Sequence, residues 1–323
     1  PLFMWHPTSK NTFSEISDDL ENGVVVLPKL ADTYEHMACE GFDDFYLGDI
    51  NKEIISTIKK EGGHATEDDF KNYELIEDVK FKSTFQNQKI MGHAGPSIGG
   101  LMVLKYLNAL TTDEQHMKQN LIQVYSERKE HYEFFGNRKQ FIKNEINKLS
   151  KSSSTIQVNT SDSDNNHFSV TFSSGYGSGV QCSNTGMFFN NSLGEIELNP
   201  QGFLGDTLSD RLISNMSPMI IENKNGIATI GTPGADRISS ALAQVLLGFS
   251  KTGNWAKAID EPRFHVNLDG TVRCEPNTVH KFDEQITTNT NDMYFGGVCV
   301  TGLYKDLFAK GDPRRGDSTW TND

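Results

Sequence analysis

The sequence predicts a layered α+β protein, and three observations predict it. The first part of the chain carries apolar residues at helical spacing. The last part alternates or runs as short strands around one strongly amphipathic helix. Between them, Lys151-Ser152-Ser153-Ser154 is a small-residue linker without an apolar anchor. Leu30 to Met37 reads as helical. From Asp49 to Lys60, Ile50, Ile54, Ile55 and Ile58 line one face, and Gly62-Gly63 stops the helix. Thr66 opens the next one as N-cap, with Asp69 placed for a capping box. The Gly95 to Gly100 loop precedes an apolar helix from Leu101 to Leu110, and the charged stretch 112–150 also reads as helix. After the linker, Thr155 to Val158 and His167 to Phe172 are strands. Asn215 to Glu222 and Gly226 to Ile230 form a strand pair. Asp236 to Phe249 is a helix whose Ile238, Leu242, Val245, Leu246 and Phe249 share a face. Short strands follow around Val266 and Val298.

Composition narrows the function classes. The chain has 323 residues, enough for one large domain or two modest ones. Its 43 acidic against 30 basic side chains give a net charge of -13, which repels phosphate backbones and argues against nucleic acid as a partner. No apolar run is long enough to span a membrane. Cys39, Cys182, Cys274 and Cys299 lie too far apart for a C-x-x-C motif, which leaves buried free thiols or one long-range disulfide. The nine histidines show no metal-ligand spacing, so neither metal nor cofactor is expected. Three formal glycosylation sequons begin at Asn159, Asn190 and Asn215, and chance accounts for them.

Four segments carry a family resemblance by their shared order. The first runs from Ser154-Thr155 through the acidic turn Asp162 to Asn166 and a strand into Gly175-Tyr176-Gly177-Ser178-Gly179. The second is Thr185-Gly186, Asn190 to Glu195, Leu198-Asn199-Pro200 and Gly202-Phe203. The third is Ser214-Asn215-Met216-Ser217-Pro218, and the fourth is Gly231 to Ile238. Glu261 to His265 and Gly311 to Arg315 support them downstream, as do Phe42 to Tyr46, Gly62-Gly63 and the Gly95 to Gly100 loop upstream. In this order the chain resembles the gamma-glutamyltransferases, enzymes of the N-terminal-nucleophile hydrolase superfamily. The resemblance implies a four-layer αββα sandwich with the N-terminal part of the family fold missing. Residues 1–154 would be the mostly helical end of a large-subunit-like region and 155–323 a small-subunit-like catalytic region, together one structural domain. The family's longer N-terminal half carries an arginine that grips the substrate carboxylate, so the chain, which begins at Pro1, looks like a fragment or truncated form.

The resemblance also assigns a site. Thr155 is the nucleophile, exposed by autoproteolysis of the Ser154-Thr155 bond. A threonine hydroxyl is weak at neutral pH and needs a base, which the α-amine of a first residue supplies. Ser173 would bond the catalytic threonine. Gly234 and Ala235 would form the oxyanion hole, where backbone donors are worth about 3 kcal/mol each. Glu195 would hold the substrate's α-amino group, and Ser214 and Asn215 its carboxylate. A rival register sets Asn165 at the nucleophile but leaves no room for a second strand before the Gly-Ser-Gly loop. Four positions depart from the family: Ile156-Gln157 after the nucleophile, Gly175 for a substrate-binding asparagine, Asn215 for a serine and Ala235 for a glycine. Arg237 and Arg263 read as loop supports and His265 as a packing residue.

The implied reaction is transfer or hydrolysis of γ-glutamyl amides such as glutathione through a threonine acyl-enzyme. Water or an acceptor amino acid completes it, and one precursor yields both subunits. The family is usually extracellular or periplasmic. Two alternatives stand beside this reading: an acylase or amide hydrolase of different acyl preference, and a non-catalytic ligand-binding homologue.

Overall fold

The computed structural model describes residues 6–15, 24–75, 77, 80–93, 97–112, 114–133, 155–195, 214–267, 269–316 and 319–320. The chain divides into two compact units, one of residues 1–77 and 176–191, the other of residues 78–175 and 192–323.

The first unit is helical: α1 (Pro7–Glu15), α2 (Pro28–Glu40), α3 (Asp43–Leu47), α4 (Asp49–Lys60) and α5 (Glu67–Lys71). The isoleucine stripe of α4 turns inward as its spacing predicts, with Ile50, Ile54 and Ile55 buried. Asp44 starts this helix from outside it. Its carboxylate accepts from Asp49 N at 3.0 Å and Ile50 N at 3.1 Å, and these bonds hold its pKa below the usual carboxylate range. Gly48 makes room for that cap, since a Cβ there would lie 1.7 Å from Asp44 Oδ1. The capping box of α5 is complete: Thr66 Oγ1 accepts from Asp69 N, and Asp69 Oδ2 accepts from Thr66 N at 2.7 Å. Segment 176–191 folds back as a loop, and Thr33 Oγ1 donates to Thr185 O within it.

The second unit holds the sheets. Six antiparallel strands run in the order β1 (Lys80–Phe85), β2 (Gln88–His93), β5 (Met219–Asn223), β6 (Gly226–Gly231), β10 (Cys299–Leu303) and β11 (Leu307–Lys310). Two-residue alternation splits this sheet chemically. Ile90, Ile221, Ala228, Ile230 and Val300 join the core with α6 (Gly99–Leu110), α7 (Glu114–Glu133) and α8 (Ile238–Thr252). Thr229, Gly231, Cys299 and Thr301 occupy the alternate positions. The hairpin of β3 (Thr155–Ser161) and β4 (His167–Ser173) lies against those. It presents Thr155, Gln157, Asn159, Ser169 and Thr171 inward, while Ile156, Val158, Phe168 and Phe172 are exposed on its outer face. Helix α9 (Trp255–Asp260) stacks Trp255 on Phe249 of α8 at 3.7 Å between centroids. A small sheet of β7 (Phe264–Val266), β8 (Val272–Cys274) and β9 (Gln285–Thr287) completes the unit.

The sequence reading needs several corrections in detail. Strands β1, β2, β8, β9 and β11 are not foreseen by it. The strand expected from Asn215 begins only at Met219, because residues 214–217 are held by the loop before α6. The helix expected from Asp236 begins at Ile238 after a 3-10 turn, Ala235–Arg237. All four cysteines are free thiols, and Cys39 is exposed rather than buried. The linker 151–154 and residues 134–150 lie outside the described residues.

Candidate active site

Polar side chains set how the β3–β4 hairpin sits on the larger sheet. Ser161 Oγ meets Thr301 Oγ1 at 3.0 Å, and Asn159 Nδ2 donates to Cys299 O at 2.8 Å. The Gln157 amide presses on Gly231, where a Cβ would lie 2.1 Å from it. Each two-residue step back along β3 therefore advances toward the end of β6 and the start of β10. Thr155 is the next inward residue, about 7 Å further on. The backbone lying in that direction is 232–235 after β6 and 296–297 before β10. Gln157, at a departure from the family pattern, thus fixes the register that carries Thr155 toward the glycine turn.

Thr155 is the first residue of β3 and is 7% exposed. Ser173 is its cross-strand partner, and their hydroxyl oxygens are 3.1 Å apart. Gly175 N donates to Ser173 Oγ at 3.0 Å. With that lone pair used, the Ser173 proton is available for Thr155 Oγ1. Gly175, which replaces an expected asparagine, enters the site through its backbone. Ser154 lies outside the described residues.

The turn at 232–235 is backed from two sides. Gly297 N donates to Thr232 Oγ1 at 2.9 Å, and Thr232 Oγ1 donates to Pro233 O at 2.8 Å. Gly296 packs so close that a Cβ there would sit 2.9 Å from Thr232 Oγ1. Gly234 has φ +143° and Ala235 φ +53°, and Arg237 N closes the turn on Gly234 O at 2.9 Å. A left-handed alanine costs about 1–2 kcal/mol, strain that surrounding contacts must hold in place. Behind the turn, Tyr125 OH donates to Asp236 O at 3.3 Å and Ser240 Oγ to Arg237 O at 3.1 Å. Buried His265 joins those two side chains, with Tyr125 at 2.7 Å from Nε2 and Ser240 at 2.8 Å from Nδ1. It does more than pack.

Ser214 and Asn215 are anchored by the loop before α6. Ile98 N donates to Ser214 O at 2.9 Å, and Ser97 Oγ bonds Ser214 O and Met216 O. Ser239 Oγ, in the first turn of α8, donates to Gly99 O at 3.3 Å, which links this segment to the helix that follows the glycine turn. Sequence reasoning flagged the Gly95 to Gly100 loop without giving Ser97 and Gly99 this role; its glycines were the available signal. A Cβ at Gly99 would lie 2.0 Å from Asn215 O and 2.1 Å from Ser217 Oγ. Gly99→Ala is therefore expected to lower stability by about 1–3 kcal/mol. Urea unfolding measures it, and an unchanged midpoint would contradict this packing.

Glu195 closes the 3-10 turn Ser192–Gly194 and is 3% exposed, so it is not a solvated surface acid. A carboxylate is kept inside a protein only with compensation. Two of the three sequon asparagines are engaged or buried, since Asn159 bonds Cys299 O and Asn215 is 3% exposed, while Asn190 is exposed. Among the described residues, no three His, Cys, Asp or Glu side chains are grouped to hold a metal ion. No helix among them is long and apolar enough to cross a membrane.

The family model described as gamma-glutamyltranspeptidase matches residues 2–135 and 111–320. The chain is 25% identical to the glutathione hydrolase proenzyme of Escherichia coli, over 97% of this chain and 64% of that protein. It is 24% identical to the glutathione hydrolase proenzyme of Bacillus subtilis, over 83% of this chain and 55% of that protein. The chain thus spans less than two thirds of the length of either relative. In structure it is similar to cephalosporin acylase from Bacillus halodurans, with a TM-score of 0.69 at 17% identity, over 98% of this chain and 71% of that one.

Proposed function

This chain belongs to the gamma-glutamyltranspeptidase family, and from that premise we propose that Thr155 is the nucleophile of a γ-glutamyl transferase or hydrolase. Residues 1–154 correspond to the end of a large subunit and 155–323 to a small one, split from one precursor at Ser154-Thr155. The observation that supports the reading is the paired hydroxyls of Thr155 and Ser173 at 3.1 Å, on a hairpin that Asn159 and Ser161 hold against β10.

Cleavage leaves Thr155 with a free α-amine beside its own hydroxyl. The amine takes the Oγ1 proton as Oγ1 bonds to the γ-carbonyl carbon of the substrate. The N–H groups of Gly234 and Ala235 hold the oxyanion of the tetrahedral intermediate. The intermediate collapses, the C–N bond breaks, and the leaving amine collects the proton from the Thr155 ammonium. A γ-glutamyl ester remains on Oγ1. Water or an acceptor amine then attacks it, and the same amine manages the proton again. Ser173 steadies the developing alkoxide. Glu195 receives the substrate ammonium, a role that its burial suits. Ser214 and Asn215 receive the carboxylate.

The substitutions at 175 and 215 favour one second reading, an acylase of different acyl preference on the same nucleophile. The full-length protein decides between them. Amino-terminal sequencing of a smaller species beginning Thr155-Ile156-Gln157, with turnover of a γ-glutamyl anilide, is expected. Processing with turnover of only other acyl anilides would select the acylase. An unprocessed chain inert toward every anilide would leave a binding protein.

A further inference from the structure

Behind the glycine turn stand two hydroxyls and an imidazole that the proposed chemistry has not used. Tyr125 of α7 and Ser240 of α8 both reach buried His265 of β7, at 2.7 Å from Nε2 and 2.8 Å from Nδ1. Tyr125 OH also meets Asp236 O at 3.3 Å, and Ser240 Oγ meets Arg237 O at 3.1 Å. Gln244 of α8 seats β7 beside them. Its amide donates to Phe264 O at 2.8 Å and accepts from Phe264 N at 3.0 Å.

These four contacts compete for protons. A neutral imidazole has one N–H and each hydroxyl one O–H, which makes three. One contact goes without. Arg237 is the N-cap residue of α8, and an N-cap carbonyl already accepts the first bond of its helix. The Ser240 proton is therefore the one least needed at a carbonyl, and it serves Nδ1. The ring proton then sits on Nε2 and donates to Tyr125, whose own proton goes to Asp236 O.

Peptide chemistry carries the effect onward, because each peptide unit joins the C=O of one residue to the N–H of the next. Asp236 C=O shares its peptide with Arg237 N–H, which donates to Gly234 O at 2.9 Å. Gly234 C=O shares its peptide with Ala235 N–H. Ala235 is 6% exposed, and its N–H meets no acceptor among the described residues. A buried backbone donor without a partner is rare. Hydrogen bonds linked head to tail polarise one another, so each strengthens the next.

We propose that His265, as the Nε2–H tautomer, and Tyr125 are positioning residues that polarise the Ala235 N–H through this relay. The relay rests on the reading of Ala235 N–H as an oxyanion donor and adds to it what makes that donor strong. Neither side chain touches the substrate. Their effect falls on the charge that develops in the transition state, hence on kcat rather than KM.

The test uses the processed full-length protein and a γ-glutamyl anilide. Tyr125→Phe removes the hydroxyl in the middle of the relay and is expected to lower kcat about threefold to tenfold, with KM within about twofold of the parent. Two replacements of His265 separate the relay from packing. The amide nitrogen of glutamine reaches the place of Nε2, so His265→Gln should keep most of the rate. That of asparagine reaches only the place of Nδ1, so His265→Asn should be as slow as Tyr125→Phe. Combining Tyr125→Phe with His265→Asn should cost no more than either alone. Circular dichroism checks that each variant folds. An undiminished kcat in folded Tyr125→Phe, or equal losses in His265→Gln and His265→Asn, would overturn the relay and leave the γ-glutamyl reading standing. If the unaltered protein turns over no γ-glutamyl compound, that reading falls by itself, and the Ala235 amide decides the relay. In protein labelled with 15N-alanine, its proton resonance, identified by its loss in Ala235→Gly, should move upfield in Tyr125→Phe and hold in His265→Gln. A resonance that stays in place in Tyr125→Phe removes the relay.

Discussion

Thr155→Ala is expected to leave the purified full-length protein as one uncut chain with γ-glutamyl anilide turnover down by on the order of 10⁴-fold or more. A nucleophile that acts as a unit with its base loses nearly everything when removed. In Thr155 both groups sit on one residue, so the methyl side chain deletes the attacking oxygen in both processing and turnover. Thr155→Ser keeps a hydroxyl and should process, more slowly or faster but at the same bond. Denaturing gels and mass spectrometry read the cut, and a chromogenic assay reads the rate. A Thr155→Ala chain that still splits between 154 and 155, or still turns over the anilide, would remove Thr155 from the mechanism. Since the side chain is only 7% exposed and bonded to one hydroxyl, the variant should fold, and circular dichroism checks that.

Glu275→Gln is expected to cost about 3–5 kcal/mol of stability, the loss typical of breaking a buried ion pair on one side. The Glu275 carboxylate takes Arg314 Nε at 2.6 Å and Nη2 at 2.5 Å, with both side chains fully buried. It also accepts from Arg263 N at 2.8 Å and Asp292 N at 3.2 Å. Asp312 completes the quartet with Arg263 at 2.7 Å and accepts from Val298 N. Since Asp292 and Val298 bracket the segment that backs the glycine turn, activity should fall together with stability. Acid should act on the same place. Burial raises the Asp312 pKa, but Arg263 and Arg314 outweigh it and leave the group below its ordinary value. A carboxyl held low in the folded state contributes stability above its unfolded pKa, near 4, and loses it as pH falls further through the folded value. Urea midpoints should therefore be flat above about pH 5 and fall below about 4. A Glu275→Gln protein as stable as the parent would show that the quartet is not a keystone.

Much of this was legible in the residues because the signals were local. The isoleucine spacing of α4 and the Thr66–Asp69 capping box each need fewer than a dozen residues of context, and each formed as read. The hairpin was legible through its alternation, and its ends needed only extension to Ser161 and Ser173. The β1–β2 hairpin escaped because its turn lacks the usual glycine: Gln86 takes φ +51° there, a conformation that glutamine does not advertise. Its first strand, Lys80–Phe85, sets Lys80, Lys82 and Thr84 against Phe81, Ser83 and Phe85 at modest burial, a weak pattern. The buried quartet draws on residues 263, 275, 312 and 314, and no spacing rule joins those. The strain at Ala235 was posed by the sequence as a question of φ, and only coordinates could answer it.

The β3–β4 hairpin also bears on how the protein should be engineered. Its hydroxyls and amides face the six-stranded sheet, and its large hydrocarbon side chains, Ile156, Val158, Phe168 and Phe172, face outward. A mutant library built on the usual rule would guard those four as core and randomise the serines, threonines and amides as surface. On this hairpin that plan inverts the risks. It would scramble the polar seam that seats the hairpin on the six-stranded sheet, so a screen would return mostly misassembled clones. Libraries here should freeze the polar side.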